Sequence, residues 1–225
     1  MYSNQTLDWT AGDSKISYEK NLKENYQLLE THNWIDKSFT YKFNSHGFRC
    51  EEFTDAPSVM FLGCSFTFGV GIPIDNIWPE LVSNKLNMHC ANLGQPGGAN
   101  DTTFRLCHGW IDIIKPQLVI LLNPPGIRIE MIDDQVMRLI NPARNNVEAY
   151  KMFYKDWCRD ENNNYFNKLK NTLAIENLCK TRNIKFVSFD NEENSPFKKL
   201  DLARDLYHYG IQSNQNFADH VLTNL

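Results

Sequence analysis

A regular alternation of short apolar runs and longer mixed stretches, beginning at residue 58, constrains the fold of this chain more than any other feature. Short apolar runs bounded by turn residues are typical of buried strands, and the intervening stretches have the length of helices. Strands that alternate with helices imply a parallel sheet covered on both faces. The sequence therefore predicts an α/β fold with three layers and a parallel sheet of about four or five strands. The predicted strands are 58–62, 89–93, 117–122 and 184–189, and the predicted helices are 76–88, 101–115, 161–182 and 215–223.

The first part of the chain does not follow this alternation. Residues 1–40 are polar and aromatic, and within them residues 17–31 have the length of a helix. We expect residues 1–40 to form an N-terminal arm that packs on one domain, residues 41–225. Between residues 41 and 49, two short aromatic runs flank an Asn-Ser-His-Gly turn, which favours a hairpin of two strands. Residues 126–158 are ambiguous and are expected to form an insertion with some helix.

The composition is that of an ordinary globular protein. Hydrophobic residues make up 42% of the 225 residues and charged residues 22%, which excludes disorder for most of the chain. With 23 Lys and Arg against 27 Asp and Glu, the formal net charge is −4. Such a chain is not built to neutralise phosphates, so nucleic acid is not an expected partner. The longest aliphatic run, residues 118–122, is far too short to span a membrane.

The N-terminus and the cysteines lead to expectations about location and redox state. The first five residues lack the basic start and the apolar core of a secretory signal, which favours a cytoplasmic location. Six cysteines are present and no two of them form a CxxC pair, so the usual zinc motif is absent. In a reducing compartment we expect free thiols rather than disulfides. No metal site and no cofactor are predicted.

Polar and glycine-bearing segments follow the predicted strands. The carboxyl ends of parallel strands meet at one edge of a sheet, where ligands bind in open α/β folds. We therefore expect these segments to form one site. They are 63–69 (Gly-Cys-Ser-Phe-Thr-Phe-Gly), 94–101 (Gly-Gln-Pro-Gly-Gly-Ala-Asn-Asp), 123–126 (Asn-Pro-Pro-Gly) and, further along the chain, 205–210 (Asp-Leu-Tyr-His-Tyr-Gly).

Ser65, in the first of these segments, is the candidate nucleophile. Gly63 and Gly69 let the backbone turn sharply after a buried strand and present a serine hydroxyl, which needs a neighbouring base to react. Two other interpretations remain open: Ser65 caps the next helix, or the loop holds a phosphate. The loop lacks Gly-Lys-Ser/Thr and GxGxxG, the usual phosphate-binding patterns. Cys64 follows an apolar strand, has no basic partner nearby in sequence, and is interpreted as a buried, inert thiol.

Together these segments resemble the sequence blocks of the SGNH (GDSL-type) hydrolase family. The first block of that family centres on Gly-Asp-Ser, and this chain departs from it by placing Cys64 where the family has aspartate. The order and spacing of the blocks carry the resemblance, which implies a flavodoxin-like parallel sheet, the SGNH hydrolase fold. The matching blocks are residues 63–69, 92–98 and 205–208, with a lead-in at 44–49, within the spans 41–125 and 200–222.

The resemblance also implies roles for individual residues. Ser65 would be the nucleophile, His208 the base that takes its proton, and Asp205 the carboxylate that orients the imidazole. An oxyanion hole would receive backbone N–H groups from Ser65 and from Gly97 or Gly98, because glycine allows close approach of the backbone. This set predicts acyl transfer without a metal.

The third block departs from the family pattern. The family has Gly-x-Asn-Asp after the third strand, whereas this chain has Asn123 followed by two prolines. Asn123 is a candidate oxyanion donor and Asn100 is a rival for that role. A turn-forming asparagine before proline is a further interpretation of Asn123. Arg128 and Glu130, further along, are expected to pair and brace the loop.

The function that the resemblance implies is cleavage of a carboxylic ester through an acyl-enzyme. The acyl group would be short, such as acetyl, and the alcohol could belong to a carbohydrate. Two alternatives come from other classes: a non-catalytic carbohydrate-binding or structural module of the same fold, and an O-acyltransferase in which a sugar hydroxyl replaces water. The expected partner is a small-molecule or carbohydrate ester.

Overall fold

The computed structural model describes residues 2–133, 136–140, 160–191 and 195–225. Its strands are β1 (Thr6–Leu7), β2 (Tyr41–Lys42), β3 (Ser58–Leu62), β4 (His89–Asn92), β5 (Leu118–Asn123), β6 (Ile129–Asp133), β7 (Val136–Ile140) and β8 (Lys185–Asp190). Its helices are α1 (Lys15–Glu24), α2 (Tyr26–Thr31), α3 (Ser65–Phe68), α4 (Trp78–Leu86), α5 (Asn100–Ile114), α6 (Glu161–Lys180) and α7 (Ile211–Thr223), with a 3-10 turn at Ile74–Asn76.

The central sheet confirms the predicted α/β fold. Its strands lie in the order β4–β3–β5–β8, and all of their pairings are parallel. The chain therefore starts inside the sheet at β3, moves to one edge and returns past β3 to the other edge. All residues of β3 and β5 are buried, as expected for central strands covered on both faces. This order brings the ends of β3, β4 and β5 to a common edge.

Helices cover both faces of the sheet and create two apolar layers. On one face α4 and α7 pack on the sheet, and the ring of Trp78 contacts those of Phe61, with centroids 5.1 Å apart, and Phe217, with centroids 5.0 Å apart. On the other face α5 and α6 contribute Ile111 and Ile175 to a second cluster. Successive residues of β3 point to opposite layers, which explains why one strand serves both. The predicted three-layer architecture is therefore confirmed.

One predicted helix starts earlier than expected, because the side chain that caps its first turn lies far away in sequence. Helix α7 starts at Ile211, four residues before the predicted start at 215. The carboxylate of Asp201 accepts hydrogen bonds from the backbone N–H of Gln212 at 3.0 Å and of Ser213 at 2.9 Å, which satisfies donors of the first helical turn. A Cβ at Gly210 would lie 2.3 Å from Asp201 Oδ2, so glycine is needed there.

The N-terminal arm differs from its prediction in two respects. The single helix expected over 17–31 is two helices, because Asn25 between α1 and α2 has a non-helical φ of −133°. The hairpin predicted within 41–49 is also wrong, because β2 pairs antiparallel with β1 of the arm. The turn itself forms, since the Asn44 N–H donates to the Phe48 carbonyl at 2.9 Å. The arm thus supplies the strand partner that the sequence assigned to residues after the turn.

The expected helical insertion begins with a β-hairpin. Strands β6 and β7 pair antiparallel, with Ile129 opposite Ile140. Their β-branched and long apolar residues favour strands over a helix. Residues 141–159, which include Cys158, lie outside the described residues. Within the described ranges, no helix has both the length and the apolar character needed to cross a bilayer.

Candidate active site

Ser65 lies at the head of a sharp turn between β3 and α3. A Cβ at Gly63 would lie 2.1 Å from Thr67 Oγ1 and 3.0 Å from the carbonyl oxygen of Leu122, so the chain can turn there only with glycine. Helix α3 spans Ser65–Phe68 and is capped by Gly69, whose left-handed φ of 80° favours glycine. Ser65 is 7% exposed, whereas the side chain of the adjacent Cys64 is fully buried. The hydroxyl is therefore the better placed of the two nucleophiles.

The loop after β4 packs directly on this turn. A Cβ at Gly94 would lie 2.4 Å from the backbone nitrogen of Phe68, so the two segments touch through their backbones. The amide of Asn92 reinforces the contact: its Nδ2 donates to the Thr67 carbonyl at 3.0 Å, and its Oδ1 accepts from the Gly94 N–H at 2.9 Å. The first and second sequence blocks are thus held together by main-chain contacts.

Asp205 and His208 form a hydrogen-bonded pair in the loop before α7. Asp205 Oδ2 lies 2.5 Å from His208 Nδ1. The other carboxylate oxygen, Oδ1, accepts from the backbone N–H of Tyr207 at 3.1 Å and of His208 at 3.0 Å. Both side chains are largely buried, with 5% of Asp205 and 10% of His208 exposed. The carboxylate therefore has a fixed orientation and engages Nδ1, which leaves Nε2 as the other nitrogen of the ring.

Phe66 links His208 to the serine turn, the turn between β3 and α3 that carries Ser65. The ring of Phe66, the residue after Ser65, makes an edge contact with the His208 ring at a centroid distance of 5.0 Å. Phe66 also packs against Tyr209 at 4.8 Å. These contacts bring the loop of His208 to the carboxyl end of β3. Among the described residues, Ser65 Oγ and His208 Nε2 form no hydrogen bond, either to each other or to another group.

Four groups are candidate oxyanion donors, and two of them already donate to another acceptor. The N–H of Gly98 donates to the Gln95 carbonyl at 2.8 Å within a tight turn. Asn123 Nδ2 donates to Asp190 Oδ1 at 3.1 Å. In the described part of the chain, the N–H groups of Ser65 and Gly97 have no acceptor. Of the predicted donors, these two backbone N–H groups are therefore the ones without any acceptor in that part of the chain.

The two asparagines are tied into the scaffold. Besides its bond to Asp190, Asn123 accepts from Thr172 Oγ1 at 3.1 Å, so β5, β8 and α6 meet at this amide. Asn100 Nδ2 donates to the carbonyl of Pro124 at 3.1 Å. Each amide nitrogen carries two N–H groups, so Asn123 and Asn100 each keep one N–H beyond the bond that holds them.

The pairing expected between Arg128 and Glu130 is replaced by other contacts. Glu130 Oε1 lies 2.6 Å from the Nε of Arg105 on α5, and Glu130 Oε2 accepts from Thr102 Oγ1 at 2.7 Å. Arg128 instead donates to the Gly98 carbonyl at 3.3 Å. The expected pair is therefore wrong: Arg128 contacts the loop after β4, and Glu130 contacts α5.

Sequence reasoning did not identify the buried polar residues beside the site. Arg49 donates to the carbonyls of Phe68, at 3.0 Å, and Ile72, at 2.6 Å, on the far side of the serine turn. Burial lowers the pKa of the Arg49 guanidinium to about 10. Burial, with the Asp13 carboxylate close by, raises the pKa of the Tyr41 hydroxyl. Arg49 stands in the lead-in segment that resembles the family, which was the one available signal.

Over the residues that the structure describes, neither a metal site nor the cavity at the N-terminal arm coincides with Ser65. Among the described residues, no group of three His, Cys, Asp or Glu side chains could hold a metal ion. A cavity of about 630 Å³ lies at the N-terminal arm and includes Trp9, Tyr18, Phe39 and Arg204 in its lining. The five described cysteines are free and buried: Cys50, Cys64, Cys90, Cys107 and Cys179.

Among known proteins, solved structures match this chain. No family model matches the chain, and no curated protein matches it. A member of the lipolytic G-D-S-L family from Veillonella parvula DSM 2008 matches with 14% identity over 75% of this chain and 97% of that one, at a TM-score of 0.38. The acetyl xylan esterase Est2A from the rumen bacterium Butyrivibrio proteoclasticus matches with 10% identity over 84% and 66%, at a TM-score of 0.45.

A carbohydrate acetylesterase family member from Sinorhizobium meliloti is a third match, with 10% identity over 75% of this chain and 96% of that one, at a TM-score of 0.37. All three names describe those proteins. The name of the Veillonella protein places that protein in the G-D-S-L family, which is the family that the sequence blocks of this chain resemble.

Proposed function

We propose that this chain is a serine esterase of SGNH type. The observation that carries the proposal is the 2.5 Å contact between Asp205 Oδ2 and His208 Nδ1, on a histidine whose ring packs against the residue next to Ser65. A carboxylate on Nδ1 holds the imidazole in the tautomer whose Nε2 can accept a proton. In the proposed triad, Ser65 is the nucleophile, His208 is the base and Asp205 is the carboxylate that orients the imidazole.

The proposed reaction has two halves. Ser65 Oγ attacks the carbonyl carbon of an ester while His208 Nε2 takes the hydroxyl proton, and a tetrahedral oxyanion forms. When that intermediate collapses, the C–O bond to the alcohol breaks, and His208 returns the proton to the departing oxygen. Water then attacks the acyl-enzyme by the same route, with His208 as base, and the acid is released. Asp205 stabilises the imidazolium in both halves.

The N–H groups of Ser65 and Gly97 are the proposed donors to the oxyanion. Each is a backbone donor without an acceptor among the described residues, and each belongs to a loop held by main-chain contacts. Donors that are already fixed cost little reorganisation when charge develops on the carbonyl oxygen. Asn123 is the weaker candidate, because its amide is engaged by Asp190.

The proposed substrates are esters with short acyl groups. Carbohydrate acetyl esters are the first class to test, because two of the matched structures are named for such activity. A sugar hydroxyl in place of water would convert the second half of the reaction into acyl transfer. Product analysis with and without an added sugar therefore separates the hydrolase from the transferase.

Labelling with a fluorophosphonate, followed by mapping of the modified residue, tests the nucleophile. We expect modification of Ser65 and turnover of 4-nitrophenyl acetate. Ser65→Ala should abolish the label and lower the rate by about 10⁴-fold with the fold intact, as judged by circular dichroism. The exposed Ser38→Ala is the matched control and should behave as the unmodified chain. A label on Cys64, or full activity in Ser65→Ala, would contradict the assignment, and no label at all would favour a non-catalytic module.

A further inference from the structure

Four buried polar side chains lie between the N-terminal arm and the proposed site. Each is no more than 1% exposed, and none of them takes part in the proposed chemistry. Buried polar groups require partners, so such a cluster has a structural reason. We call the cluster the arm network; its members are Asp13, Tyr41, Arg49 and Arg204.

Arg49 holds the end of the serine turn by its main chain. Its Nη1 donates to the carbonyls of Phe68, at 3.0 Å, and Gly69, at 2.5 Å, and its Nη2 donates to that of Ile72 at 2.6 Å. Two of these carbonyls close helix α3, and a cation is favourable at the C-terminal end of a helix. Because α3 contains only four residues and starts at Ser65, fixing its last carbonyls also fixes its first residue.

The Asp13–Arg204 ion pair holds the other loop. Arg204 Nη2 lies 2.7 Å and Nε 3.0 Å from Asp13 Oδ2, and the guanidinium lies between the rings of Trp9 and Phe39, 4.0 Å from each centroid. Arg204 immediately precedes Asp205, the carboxylate that engages His208. The arm therefore anchors the start of the loop that carries both residues.

Tyr41 joins the two halves of the network. Its hydroxyl donates to Asp13 Oδ2 at 2.7 Å and accepts from the Gly71 N–H at 2.8 Å. The Gly71 carbonyl in turn accepts from the Arg204 N–H at 3.1 Å. The Arg49 guanidinium lies 4.4 Å from the centroid of the Tyr41 ring. One hydroxyl thus connects the arm, the segment after α3 and the loop that leads to His208.

We propose that the arm network positions Ser65 relative to His208, so that the N-terminal arm is part of the catalytic apparatus although it contributes no catalytic residue. This inference rests on the proposed serine esterase function. Its physical basis is that a misplacement of about 1 Å between reacting groups can lower a rate by about 10²-fold. The two loops that need this register contact each other at Gly71, where a Cβ would lie 2.9 Å from that of Ala203.

Tyr41→Phe tests the proposal, because it removes the bridging hydroxyl and keeps the ring. The matched control is Tyr18→Phe, which removes a hydroxyl that donates at 2.9 Å to the carbonyl of Trp34, also in the arm. Tyr41→Phe removes two hydrogen bonds and Tyr18→Phe removes one, so we expect the larger decrease in Tm for Tyr41→Phe. We expect only Tyr41→Phe to lower kcat and the rate of fluorophosphonate labelling, by about 10- to 100-fold, with KM nearly unchanged.

Amide hydrogen exchange provides a readout that does not depend on activity. The N–H of Leu206 donates to the Ala203 carbonyl at 2.9 Å and that of His208 to Asp205 Oδ1 at 3.0 Å. If the network holds this loop, Tyr41→Phe should speed exchange at both amides as well as at Gly71, whereas Tyr18→Phe should leave all of them unchanged.

The outcomes separate the two proposals. Equal kcat values and equal exchange at His208 in the two variants would overturn the positioning role, even if the chain proves to be an esterase. If the unmodified chain takes up no fluorophosphonate, the proposed function fails. The exchange measurement then still decides whether the arm holds the loop of His208, and unchanged protection there would overturn the network as well.

Discussion

At the scale of single residues, short motifs are visible in the sequence, whereas long-range contacts are not. The Gly63-x-Ser65 turn and the Asp205-x-x-His208 spacing are short enough to be read directly, and the structure places each pair as one local unit. Arg49 could not be assigned, because its partners are carbonyls about 20 residues away, and a carbonyl carries no sequence identity.

Asp205→Asn should separate orientation of the histidine from folding of its loop. Asparagine keeps an oxygen for the N–H groups of Tyr207 and His208, but it presents the wrong partner to Nδ1. We therefore expect a rate about 10⁴-fold lower with an unchanged circular dichroism spectrum. The unmodified chain should keep its activity in chelator, because no step of the proposed mechanism uses a metal ion. Activity that requires an added divalent ion would refute this mechanism.

At the scale of elements, the strands and helices of the sheet were predictable, whereas the arm and the insertion were not. The central strands are continuous apolar runs, and burial on both faces makes that pattern unambiguous. The start of α7 was missed because Asp201, whose carboxylate caps the first turn, lies 11 and 12 residues before the N–H groups that it binds. The partner of β2 was missed because β1 is only two residues long and carries no periodic signal.

A pair of glycine substitutions tests how the second loop is held on the serine turn. Gly94→Ala would place its Cβ 2.4 Å from a backbone nitrogen of α3, and we expect a loss of about 1–3 kcal/mol in unfolding free energy from overpacking. Gly109→Ala is the control: it lies inside α5 with no atom within 4 Å of the new Cβ, so it should stabilise the chain by up to about 1 kcal/mol. Denaturant titration of both variants measures the difference. Equal unfolding free energies for Gly94→Ala and Gly109→Ala would show that the second loop accommodates the extra methyl group without loss of stability.

At the scale of the whole molecule, the three layers follow from the alternation of elements, and the N-terminal arm completes the structure around them. Leu29, Trp34 and Ile72 belong to one buried cluster, so the arm shares a core with the segment that follows α3. The sequence indicated an arm that packs on the domain, but its aromatic residues gave no indication of which surface they cover. Only the folded chain brings Asp13 to Arg204.

The pH dependence of global stability should reflect Glu80, in the first turn of α4. Burial raises the pKa of this carboxyl above its usual 4.5. The folded chain therefore retains the proton to higher pH than the unfolded chain, and stability is lost as pH rises from about 4.5 through the folded pKa. The unfolding free energy of Glu80→Gln, taken relative to that of the unmodified chain, should therefore increase as the pH rises from 4 to 7. Denaturant titration of both proteins at several pH values measures this difference. A difference that is constant with pH would contradict this.

The Arg49 guanidinium lies 5.4 Å from the centroid of the Phe68 ring, and its hydrogen bonds among the described residues all go to main-chain carbonyls of the segment after Ser65. A hydrogen bond of that kind is indifferent to which side chains the segment carries. A side-chain substitution in this segment therefore leaves the acceptors of Arg49 in place. The consequence is that the sequence of the segment can vary while Arg49 continues to hold the course of its backbone.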